Sequence, residues 1–186
     1  RRVFSMAWRY RWAEPRHHLN WRFDLLDLNY VYMPWISETF KRDYLDDADN
    51  RNAILRYNYE DIFIMKMGFG LTYSDEVDAF RLNVESSGNL LSAFSKALNF
   101  KINSQGQRTF INIAYAQYAK ADFDYTHLVR FDDRNVLALH AGIGVAYPYG
   151  NSKVLPFEKR YFSGGANSVR GWGVRELGPG GYKGND

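Results

Sequence analysis

Arg170 is the residue whose neighbours set it apart. It stands between Val169 and Gly171, with Trp172 next and Gly164 and Gly165 shortly before it. A guanidinium is a planar fork of donors suited to carboxylates and carbonyls, buried ones included. Glycines let backbone adopt conformations closed to other residues and approach a wall closely. Such chemistry braces a structure and breaks no bond. The other polar groups offer less. His17 and His18 invite a metal reading, but adjacent side chains on a strand or turn point apart, and a solvated turn accounts for them. His140 has no Ser or Asp at a recognisable spacing and reads as a polar residue on an inward face. The acidic run at residues 43–49 lacks the ligand spacing of a calcium loop and reads as solvated loop. No G-x-S-x-G elbow, phosphate loop or zinc motif is present. Cysteine is absent, which excludes a disulfide framework and a Cys-based zinc site. The expectation is a protein that is not an enzyme, with no cofactor and no metal.

These residues hang on a chain with a strong period of two. Aromatics make up 17% of its 186 residues, yet mean hydropathy is −0.47. Large apolar side chains must therefore alternate with polar ones. Phe4, Met6, Trp8, Tyr10 and Trp12 fall on one face of a strand, with Ser5, Ala7, Arg9 and Arg11 on the other. Pro15 and its polar neighbours make a short turn over residues 13–18. A second strand spans 19–32 and slips phase near Leu25 to Leu28, the mark of a bulge. Residues 33–52 lose the pattern and form a long loop, with a helical turn after Ser37. Alternation returns from Ala53 to Tyr73, read as one long strand rather than a hairpin at Glu60 and Asp61. After a tight turn at 74–78, Phe80, Leu82 and Val84 oppose Arg81, Asn83 and Glu85. Residues 88–106 are irregular, with a short helix at 90–98.

Residues 109–131 read as another strand, with Ile111, Ile113, Tyr115, Phe123, Tyr125 and Phe131 opposite Asn112, Lys120, Asp122, Asp124 and Arg130. Its length is about twice that of a typical globular strand, which points to a tilted strand of a membrane barrel, where only every second residue faces lipid. No stretch supplies the roughly 18 apolar residues of a spanning helix. After a turn at 132–135, a last strand to residue 148 sets Leu137, Leu139, Ile143, Val145 and Tyr147 outward. Its inward set is Ala138, His140, Gly142, Gly144 and Ala146, small enough to imply something bulky alongside. Connections run short, long, short, long, short, then very long, the asymmetry of outer-membrane barrels. The charge balance, Lys+Arg 24 against Asp+Glu 21, is scattered along the chain, so no nucleic-acid partner is expected. No signal peptide opens at Arg1, which reads as a chain beginning in mid-protein.

The run Pro156, Phe157, Glu158, Lys159, Arg160, Tyr161, Phe162, Ser163, Gly164, Gly165, followed by Asn167, Ser168, Val169, Arg170, Gly171, Trp172, resembles the sixth-loop signature of the BamA/TamA outer-membrane assembly factors. That signature is an aromatic, a small residue, two glycines, a spacer, then Val/Ile-Arg-Gly-aromatic; Trp172 replaces the usual Phe or Tyr. Leu177, Gly178 and Pro179 look like its continuation, and the wording is nearest to Bacteroidetes-type versions. The resemblance is specific over about residues 136–180.

The resemblance implies an all-β fold: an antiparallel transmembrane β-barrel fragment, about six long strands of a 16-stranded barrel, with a lumen-inserted loop. Residues 1–148 would be consecutive strands with loops at 33–52 and 88–106. Residues 149–186 would be the sixth-loop segment, and POTRA domains and remaining strands would lie outside the chain. Arg170 would brace the barrel lumen through wall residues beyond Asp186, with Gly164, Gly165, Val169, Gly171 and Trp172 shaping the loop. Gly142, Gly144 and Ala146 would give it room. The implied function is assembly and insertion of outer-membrane proteins in the bacterial outer membrane. Its partners would be outer-membrane lipid, nascent outer-membrane proteins and periplasmic or lipoprotein assembly components. Alternatives are a two-partner secretion transporter, a lipase-fused barrel of the same family, and a passive porin.

Overall fold

The computed structural model describes residues 2–32, 35–42, 59, 61–95, 97, 99–103, 106–166 and 168–174. They fall into two compact units, one of residues 1–35 and 60–155 and a second of residues 36–59 and 156–186.

The first unit is a sheet built by alternation. Its strands are β1 (Arg2–Glu14), β2 (Leu19–Tyr32), β3 (Ile62–Ser74), β4 (Asp78–Ser87), β5 (Thr109–Phe110), β6 (Ile113–Tyr115), β7 (Tyr118–Arg130) and β8 (Val136–Pro148). The main path is β1-β2-β3-β4-β7-β8, each neighbour antiparallel to the next. Turn chemistry sets the register. The Asp75 carboxylate accepts from the backbone N–H groups of Val77 and Asp78 at 2.8 and 2.6 Å and closes β3 onto β4. Asp132 repeats this with Arg134 and Asn135, both at 2.8 Å, between β7 and β8. Pro15 opens the 3-10 turn Pro15–His17 after β1, and His18 ends it in the left-handed region at φ 54°. The register shifts between Asp24 and Asp27 of β2, where the sequence places a bulge.

The expected barrel wall is corrected by the topology. Among the described residues the strands form an open sheet, with a two-turn helix at Asn89–Ser95, and no closed or curled antiparallel barrel. Closure requires the first and last strands to share a ladder. Here β1 and β8 stand at opposite ends of the path, pair on one side only, and are exposed along almost their whole length. The expectation of a transmembrane β-barrel fragment therefore does not stand.

The strand expected over 109–131 is also three strands. Ile111 and Asn112, both with positive φ at 51° and 63°, turn β5 back onto β6. β6 then runs parallel to the start of β3, pairing Ile62 with Ala114 and Phe63 with Tyr115. The expected strand across 53–73 is seen as β3 from Ile62; most of residues 53–60, including Glu60, lie outside the described residues.

Where these pieces meet sits the small core: Ile64, Ala116 and Tyr118, with Ile62 and Leu155 against them. A polar joint locks it. The Gln117 side-chain carbonyl accepts from the Asn151 N–H at 2.9 Å, and the Gln117 backbone N–H donates to the Ser152 hydroxyl at 2.8 Å. The Asn151 amide donates to the carbonyls of Arg108 and Tyr115, both at 2.9 Å. The Ser87 hydroxyl donates to the carbonyls of Met65 and Ala116.

Candidate functional site

In the second unit, residues 164–166 and 168–174 belong to a small closed loop. Gly164 and Gly165 have φ of 97° and 89°, values that favour glycine. A Cβ on Gly165 would also lie 2.9 Å from Val174 Cγ2. The Gly165 N–H donates to the Trp172 carbonyl at 2.8 Å, closing the loop. The Trp172 N–H donates to the Val169 carbonyl at 3.1 Å, so Arg170 and Gly171 are the central pair of a four-residue turn. Arg170 Nε donates to the Ala166 carbonyl at 3.2 Å. Arg170 is exposed, as are Val169 and Trp172. The loop thus presents a guanidinium with one N–H engaged and the others without partners among the described residues. Gly171 has open space where a Cβ would sit.

Gly142, Gly144 and Ala146 lie on β8 in the first unit, opposite Asp124, Asp122 and Lys120 of β7. At Gly142 a Cβ would lie 2.9 Å from Asp124 Oδ1, the end of a side chain that can turn aside. His140 Nδ1 shares a 3.0 Å hydrogen bond with the Thr126 hydroxyl, and Nε2 stands 3.7 Å from Asp124. His17 pairs with Glu14 at 3.4 Å. No cluster of three metal-ligating side chains occurs among the described residues; the acidic run at 43–49 lies outside them.

Sequence reasoning missed how the polar face of the sheet is wired. Arg9 pairs with Asp24 and reaches toward Asp27 at 3.8 Å. Lys66 bridges Asp27 at 3.5 Å and Glu85 at 3.0 Å, and the Tyr118 hydroxyl donates to Glu85 at 3.2 Å. Asp24 and Asp27 are buried. Burial pulls against the Lys66 ammonium, but Glu85, with Asp27 and Asp24 behind it, outweighs that and raises its pKa. Burial first, and then Glu85, pushes the Tyr118 phenol far up. The signal was available: each of five neighbouring sheet strands, β1, β2, β3, β4 and β7, carries at least one charged residue on its polar face. The pairing across strands was not, because register is a property of the folded ladder.

Among known families, residues 39–185 match the Omp85 superfamily domain. No curated protein and no solved structure matches the chain. The likeness to BamA/TamA factors thus stands as superfamily homology over most of the chain, while the barrel-fragment part of that expectation does not.

Proposed function

The chain belongs to the Omp85 superfamily, and from that premise we propose that it acts in assembling outer-membrane proteins, with the Arg170 loop as a working element. Membership carries involvement in outer-membrane protein biogenesis and is consistent with outer-membrane association. Omp85-family assembly factors are non-catalytic. The observation that carries the proposal is the superfamily match across residues 39–185, which includes the Val-Arg-Gly-Trp motif.

The physical rationale is the cost of unpaired strand edges. Backbone N–H and C=O groups left without partners away from water cost several kcal/mol each. A protein that lends an edge to an incoming strand lowers that cost by β-augmentation, without nucleotide and without covalent chemistry. The partners in this reading are nascent outer-membrane proteins and outer-membrane lipid, with periplasmic or lipoprotein components attending. Arg170, on a glycine-rich turn with unused donors, would hold the loop to an acceptor-bearing surface. Arg170→Ala in the full-length protein is expected to slow substrate assembly, lower heat stability, or both. Normal assembly together with unchanged heat stability would overturn the role given to the loop.

A further inference from the structure

On the polar face of the sheet, two arginines are direct cross-strand partners: Arg11 of β1 and Arg22 of β2. Like charges placed opposite each other destabilise a sheet, so the pair needs a reason. An open cleft of about 480 Å³ lies over it, lined by Arg11, Asn20, Arg22, Gly70 and Thr72 along with Trp12, Ala13 and Trp21. No acidic residue lines this cleft.

The two arginines are held differently. Arg22 is fixed in place. Its Nη2 donates to Asn83 Oδ1 at 2.9 Å, and its Nε stands 3.4 Å from Asp24 Oδ2, within ion-pair range but outside hydrogen-bond alignment. Its guanidinium lies against Gly70, where a Cβ would come within 3.1 Å of Cζ, Nε and Nη2. Glycine at position 70 therefore lets the fork lie flat on the sheet. Arg11 is exposed and has no ion-pair or hydrogen-bond partner among the described residues. Asp24, the acid nearest Arg22, is already shared with Arg9. One guanidinium is thus preset, a second is free, and amide and hydroxyl groups from Asn20 and Thr72 border the same space.

We infer that this cleft binds a phosphate group, with Arg11 and Arg22 as its paired donors. An oxyanion between the two forks would turn their repulsion into attraction, and guanidinium geometry matches phosphate oxygens two at a time. Free phosphate and a phospholipid headgroup present the same oxygens, and the experiment separates them. The full chain is titrated calorimetrically with inorganic phosphate and with a soluble short-chain phosphatidylglycerol, at ionic strength fixed with chloride. Saturable binding of at least one probe is expected. Arg11→Gln, at an exposed position, should weaken it about tenfold or more, the loss of one charge-assisted hydrogen bond. Gly70→Ala changes no charge, yet it displaces the Arg22 fork and should weaken binding as well. Tighter binding of the lipid would name a headgroup as the source; equal binding would name phosphate itself. Absence of saturable binding by either probe, or binding indifferent to both substitutions, would overturn the inference.

Discussion

Asp75 shows how much one carboxylate can organise. It accepts from the Tyr73 hydroxyl and from two backbone N–H groups of the turn between β3 and β4. Those bonds, the Tyr73 hydroxyl first, hold its pKa down at about 2. Asp78 and Asp132 are lowered for related reasons, Asp78 by Tyr125 and His127 and Asp132 by Asn135 and its turn. A carboxyl whose folded pKa is depressed adds stability above its unfolded value near 3.8, and that stability is lost as pH falls through about 2. Asp75→Ala should therefore lower thermal stability at neutral pH and narrow the gap to wild type near pH 2. A gap that stays constant across that range would refute the assignment. The Asp in its turn was legible in the sequence. The Tyr73 contact was not, because it depends on which way a strand-end side chain leans.

Among the elements, the strands with a clean period of two, β1, β2, β4 and β8, could be read from residue types alone, and so could the bulge in β2 and the helix near residue 90. The stretch from 109 to 117 could not. Its odd positions stay apolar through Ile111, Ile113 and Tyr115, so the pattern passes unbroken across a reversal. Two-residue hairpin loops with positive φ favour Asn-Gly; Ile111 takes that conformation against its preference, a tertiary demand invisible to local pattern. Just past β6 the backbone at Ala116 makes a close approach to Gly88. That residue has φ 76°, its N–H donates to the Met65 carbonyl at 2.9 Å, and a Cβ would sit 2.4 Å from the Ala116 carbonyl oxygen. Gly88→Ala should cost about 2 kcal/mol or more, through strain at a left-handed position and a backbone collision. Urea unfolding would measure it, and a midpoint equal to wild type would show that β6 does not need this close approach.

Taken whole, the sheet has little apolar interior to stand on. The buried hydrophobic side chains among the described residues are Val31, Ile64, Leu91, Tyr115, Ala116 and Tyr118, while Trp8 is 71% exposed on the aromatic face. Paired charges on the other face must therefore hold strands that a core would otherwise clamp. Lys66 is the pivot, joining Asp27 of β2 to Glu85 of β4 across β3. Its side chain is 14% exposed and those of its partners 10% and 20%, so solvent screens the interaction far less than at a surface pair. Replacing the ammonium by a neutral chain of similar length leaves two carboxylates facing each other in a half-dry ladder. Removing one partner of such a group costs about 3 kcal/mol, and Lys66→Met should lose about that much in urea unfolding. The loss should persist at high salt, because the remaining carboxylates are shielded by protein rather than by ions. A deficit that vanishes with added salt would mean that the ladder is surface decoration and that the sheet is held by its aromatic face instead.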